Sequence, residues 1–133
     1  MNAHKLQRRR RASAAVEMAV VTPVLLTILF GIIEYGWMFS VQQQLVAAAR
    51  EGSREASLPG ATVAEVQGVV DDYLEPTGID GVSVNVEVDG EGLPNGRVDL
   101  SVPYADVSLL GGYFGPVDFN LTAHSTMRKE GAD

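Results

Sequence analysis

At 133 residues the chain holds one small domain, and the absence of cysteine excludes a disulfide framework, a thiolate metal site and a cysteine nucleophile. The net charge of −7 conceals a division: Lys5, Arg8, Arg9, Arg10 and Arg11 give the first twelve residues +5 with no acid, leaving five basic and 17 acidic side chains for the rest. Such a sign change fits a chain partitioned between two environments better than a nucleic-acid-binding tail, and no nucleic acid partner is expected.

The arginine run leads directly into Met18–Ile33, 16 residues without a charge; counted from Ala12, 22 residues carry one, Glu17. About 20 residues cross a bilayer core, so this segment reads as a single membrane span. Arg8, Arg9, Arg10 and Arg11 before the span place the N-terminus inside and the acidic remainder outside. Glu34 marks the outer edge of the membrane, and Tyr35 and Trp37 are aromatic residues suited to that boundary. Two other readings fare worse. A cleaved secretory signal needs a small-residue site soon after the apolar run, but Ala47 and Ala49 follow only after the long interval Glu34–Gln44. A buried soluble helix needs more protein around it than a chain of this size supplies.

From Gln42 onward alanine, glutamine, glutamate, arginine and leucine dominate, all good helix formers, so the span continues outward as one helix over 13–58. Pro59-Gly60 stops it. Such a helix measures about 69 Å, and its outer half must pack on something. Pro23 removes one ladder bond inside the apolar run, and Gly31 and Gly36 permit local bending or close approach.

Thr62 with Glu65 three residues on has the spacing of a capping box and opens a second helix. Val63, Val66, Val69, Val70, Tyr73 and Leu74 share one face, and Pro76 and Gly78 end it. Residues 82–88 and 98–102 alternate apolar and polar around the turn-rich segment 89–96, an antiparallel hairpin. Pro103 ends the second strand, a glycine-rich loop follows, and a third strand begins at Val117 and runs to Ala123 or on to Met127. The expected fold is α+β: a long N-terminal transmembrane helix and a second helix packed on a small antiparallel sheet of about three strands. The expected parts are a basic cytoplasmic leader (1–12), the transmembrane helix and its outward continuation (13–58), and an extracytoplasmic domain (59–133).

No enzyme motif is present. His4 lies in the leader and His124 on the polar face of the last strand, and no HExxH, P-loop or GxGxxG occurs in a fitting context. The segment DGEG at 89–92 is similar to calcium loops but lacks EF-hand spacing, and no metal, cofactor or small-molecule substrate is expected. Glu17 is the informative side chain. An ionisable residue within a membrane helix is costly and tends to be functional and paired; the plainer reading is a carboxylate near enough to the interface to stay solvated, with Arg11 close by.

The ordered set Ala14-Ala15-Val16-Glu17-Met18, Pro23-Val24-Leu25-Leu26 and Phe30-Gly31-Ile32-Ile33-Glu34, followed by Gln43 and residues 47–52, resembles the N-terminus of TadE-like proteins. These are pseudopilins or minor pilins of tight-adherence (Flp-type, type IVb-like) pilus systems. The resemblance covers residues 8–52. It implies a pilin-like fold, a site in a bacterial cytoplasmic membrane or a surface pilus, and a role as structural component or assembly factor. Its implied partners are a prepilin peptidase, other pilins and pilus assembly proteins. In pilins the motif glutamate is the fifth mature residue, which puts the cut between Ala12 and Ser13, with Ala12 where the family has glycine. The resemblance further implies that Glu17 pairs with the new Ser13 amine of a neighbouring subunit and fixes its register. The competing reading is an uncleaved, signal-anchored extracytoplasmic binding module unrelated to pili.

Overall fold

A computed structural model describes residues 3–88, 95–113, 115 and 117–128, with side chains from Ser13 onward. The anticipated turn segment 89–94 and Pro116 lie outside the described residues. The chain divides into two compact units, Met1–Tyr35 and Gly36–Asp133. The fold is α+β, with helices α1 (Ala3–Ala56), α2 (Val63–Leu74) and α3 (Tyr104–Val107), and strands β1 (Ser83–Glu87), β2 (Asn95–Pro103) and β3 (Asn120–Arg128).

Helix α1 begins ten residues before the expected start, because the leader contains no helix breaker and is rich in arginine, alanine, leucine and glutamine. It ends two residues early, at Ala56. Ser57 and Leu58 close the last turn with bonds to the Ser53 and Glu55 carbonyls, Pro59 has no N–H to continue, and Gly60 turns the chain with φ +82°.

In the second unit the three strands form an antiparallel sheet in the order β1-β2-β3, with Asn85 opposite Asp99 and Asp99 opposite His124. Strand β2 is longer than expected at its N-terminal end, and β3 starts at Asn120 instead of Val117. One sheet face is covered. Along α1 the residues Val41, Leu45, Ala48, Ala49, Gly52, Ser53 and Ala56 are buried, a stripe at helical spacing that grows smaller toward its end. They meet Val98, Leu100, Val102, Leu121 and Ala123 of the sheet and Val66, Val70 and Leu74 of α2 in one core. The helix runs alongside β3: Gln42 Nε2 donates to the Thr122 carbonyl at 2.8 Å, and the hydroxyls of Ser53 and Ser125 bond at 2.7 Å.

Two glycines set the closest approaches. A Cβ on Gly52 would lie 2.6 Å from Val70 Cγ2, and one on Gly96 would lie 2.7 Å from the backbone carbon and oxygen of Ala56. Asn95-Gly96 was expected to close the hairpin turn; both belong to β2, and Gly96 lets the strand run beneath the end of α1.

The capping box of α2 forms as its spacing predicts. Glu65 N donates to Thr62 Oγ1 at 3.3 Å, and Thr62 N donates to Glu65 Oε2 at 2.9 Å. Its buried face is narrower than the apolar arc: Val66, Val70 and Leu74 are buried, whereas Val63 and Tyr73 are exposed. Pro76 and Gly78, the latter at φ +69°, end the segment through a short 3-10 turn. The four-residue helix α3 was not anticipated; it is too short to show a period.

Candidate functional site

Between Ser13 and Leu29 every residue of α1 is exposed, including Val16, Met18, Val20, Val21, Val24, Leu25, Leu26, Ile28 and Leu29. A helix that is apolar on all sides and covered on none belongs in an apolar medium or a bundle. Among the described residues this is the one helix long and apolar enough to cross a membrane, so it can serve as an anchor.

Its internal polar groups are arranged for such a medium. Thr22 Oγ1 donates to the Met18 carbonyl at 2.7 Å, and Thr27 Oγ1 donates to the Pro23 carbonyl at 2.9 Å. Each hydroxyl is thereby satisfied within its own helix, as a hydrocarbon environment requires. Pro23 stays inside α1 without ending it, leaving the Ala19 carbonyl without its usual ladder donor. The sequence reading missed these threonines, although a hydroxyl within an apolar run is a usable signal.

Ser13 and Glu17 lie one turn apart on this helix, and Ser13 Oγ donates to Glu17 Oε1 at 3.2 Å. The two residues singled out for processing and register are thus brought together in a single chain. The peptide between Ala12 and Ser13 lies inside α1, which is helical from Ala3 onward. The side chains of Arg8, Arg9, Arg10 and Arg11 lie outside the described residues.

Glu34 and Trp37 differ from the exposed residues 13–29. Glu34 is 4% exposed, whereas Ile33 and Tyr35 on either side are exposed. Trp37 is half-buried in the second unit, where its Nε1–H donates to the Val107 carbonyl at 2.7 Å. That bond holds α3 against the first turn of this unit's helix.

Thr62 donates two bonds to Glu65, which hold its carboxyl below the usual range. On the open sheet face Arg97 Nε lies 2.9 Å from Asp99 Oδ2, and that hydrogen-bonded carboxylate raises the Arg97 pKa. Among the described residues no group of three histidines or acids could hold a metal ion.

The family model of TadE-like proteins matches residues 12–54. This bears out the resemblance carried by the Val16-Glu17 and Phe30–Glu34 motifs. The match begins at the residue before Ser13 and ends two residues before α1 does. No curated protein and no solved structure matches the chain.

Proposed function

From the TadE-like match over residues 12–54, we propose that the protein is a pseudopilin of a tight-adherence pilus, acting in the fibre or in its assembly. It spans the bacterial cytoplasmic membrane once, with its N-terminus inside and its domain outside. A prepilin peptidase removes the +5 leader between Ala12 and Ser13, and neighbouring pilins replace lipid around the freed helix.

The observation that carries this reading is the coincidence of the family match with a helix exposed on all sides. Lipid covers that surface first; other helices of the same kind cover it in a fibre. Exchange between these two apolar surroundings costs little per residue, which suits a subunit extracted from a bilayer. The charged pair supplies what the apolar surface cannot, a fixed register. Before cleavage the Glu17 carboxylate accepts from the Ser13 hydroxyl. Cleavage gives Ser13 an ammonium group, and opposite charges within about 4–6 Å favour each other's charged form. A neighbouring subunit offset along the axis brings its Glu17 to this ammonium, and only a matched offset compensates the desolvation of both groups. The helical Ala12–Ser13 bond must unwind locally to be cut, and small residues at 12–15 leave little side-chain packing to resist that.

The test is the N-terminal residue and intact mass of protein from its native membrane. A chain starting at Ser13, with faster maturation of Ala12→Gly, is the expected result. A chain starting at Met1 rejects the processing step and leaves an uncleaved anchored module. Glu17→Ala is expected to reach the membrane and be cut, yet to drop out of pili; normal incorporation would refute the register role.

A further inference from the structure

The eleven residues from Val107 to Val117 include no charged side chain. Leu109, Tyr113 and Val117, with Phe119 just beyond, are 55%, 53%, 41% and 41% exposed. Of these, Val117 also lines a cleft of about 330 Å³, together with Tyr104, Ser108, Gly111, Gly115 and the acidic Asp118. Gly111, Gly112 and Gly115 all have positive φ, which glycine adopts without strain. Tyr104 and Phe119 stack with centroids 4.9 Å apart, and Tyr104 N donates to the Phe119 carbonyl at 2.9 Å. An apolar patch of this kind on a small domain marks a contact surface.

Its place in the chain selects the occupant. The run begins at Val107, whose carbonyl accepts the Trp37 indole N–H. Trp37 follows Ile33, the last residue of the uncharged segment, by four residues. Four residues reach at most about 14 Å even when fully extended. The chain therefore tethers Trp37, to which the Val107 end of the loop is hydrogen-bonded, to the end of the uncharged segment. Phe39, 58% exposed, lies beside the same tether.

We propose that α3 and residues 108–113 form a foot that rests in the outer headgroup layer of the bilayer, with Leu109 and Tyr113 inserted and Trp37 holding the foot to the anchor. Tyrosine and tryptophan favour that layer because each joins an apolar ring to a polar edge. Asp106 and Asp118 bracket the uncharged run, which matches the foot to a zwitterionic surface and opposes an anionic one. The inference rests on the membrane span proposed above, and its test separates the two.

The chain has no cysteine, so single cysteines label cleanly. Full-length Leu109→Cys, Asn85→Cys on the exposed edge strand, and Leu25→Cys within the span each receive an environment-sensitive fluorophore in phosphatidylcholine nanodiscs. Lipids brominated along the acyl chain then quench the labels. A foot lying about 5–10 Å into the interface gives at least about twofold more quenching at position 109 than at 85, with a blue-shifted emission. Replacing a fraction of the lipid with phosphatidylglycerol reduces it. Quenching at 25 with equal, weak quenching at 109 and 85 overturns the foot while the span stands. No quenching at 25 removes the span, and the foot with it. Protection of 109 that rises with copies per disc, without lipid quenching, assigns the patch to a second copy of this chain and overturns the foot.

Discussion

Gly96→Ala tests the packing of the domain at its tightest point. A Cβ there would sit 2.7 Å from the carbonyl carbon, oxygen and Cβ of Ala56. Optimal carbon–carbon separation is about 3.5–4.0 Å, so the methyl is roughly 1 Å too close. Ala56 cannot turn a rotamer away, because two of the three atoms are backbone; the end of α1 or the start of β2 must move. Overpacking of this kind costs about 1–3 kcal/mol. Removing a glycine from a strand returns about 0.5–1 kcal/mol. At the middle of these ranges the balance is a loss of about 1 kcal/mol, which lowers Tm by roughly 4–8 °C for a domain of this size. Gly68→Ala is the control. Gly68 lies in α2 with nothing within 4 Å of its added methyl, and the gain in helix propensity is about 1 kcal/mol. Both variants are melted as full-length protein in detergent micelles, followed by near-UV circular dichroism. A Gly96→Ala melt at or above the parent temperature, with Gly68→Ala stabilised as expected, would refute the argument that Gly96 exists for close approach.

Gly52→Ala is expected to lower Tm through its 2.6 Å clash with Val70, and the added variant Val70→Ala to recover part of the loss; strict additivity in the double-mutant cycle argues against that contact. Trp37→Phe keeps an aromatic ring but leaves the Val107 carbonyl without its indole donor, at a cost of about 0.5–1.5 kcal/mol read as a lower denaturation midpoint. An unchanged midpoint would mean that the hydrogen bond adds nothing. The Glu65 carboxyl is depressed by Thr62, so its contribution is complete above the unfolded pKa of about 4.3 and fades as pH falls through the lower folded value. The parent Tm should therefore fall more steeply than that of Glu65→Gln between about pH 5 and pH 3, and parallel curves would contradict the capping role.

Features enforced by local chemistry were readable in the sequence, and those set by distant neighbours were not. Thr62 and Glu65 satisfy each other across three residues, so their spacing alone locates the start of α2. Pro59-Gly60 and Pro76 with Gly78 end their helices for reasons held within a few residues. The Asn95-Gly96 pair shows the opposite case. As a dipeptide it reads as a turn, yet Gly96 is a strand residue because Ala56, forty residues earlier, leaves no room for a side chain. Val63 and Tyr73 fall on the apolar arc of α2 but stay exposed, because periodicity shows which face is apolar and not how much of it finds a partner. Of the candidate site, the Ser13–Glu17 spacing of one helical turn was legible, and so was the match over the span. The burial of Glu34 was not, since a carboxylate after an apolar run gives no sign of what surrounds it.

One helix thus meets two sets of requirements, and its sequence changes where they change. From Met18 to Ile33 it is built mainly from apolar residues with no preferred side, and from Ser13 to Leu29 none is covered. From Val41 it is two-faced, and its buried stripe shrinks from Val41 and Leu45 to Ala48, Ala49, Gly52, Ser53 and Ala56. Small residues let α1 settle onto the sheet and against α2; the large ones of the earlier segment are left exposed on all sides. Damage should therefore divide by position. Substitutions in the stripe unfold the domain, whereas apolar replacements between Val16 and Leu29 leave its melting unchanged and act only on what the helix meets outside the chain. A substitution at Leu25, which is exposed, that altered the stability of the sheet would break this division.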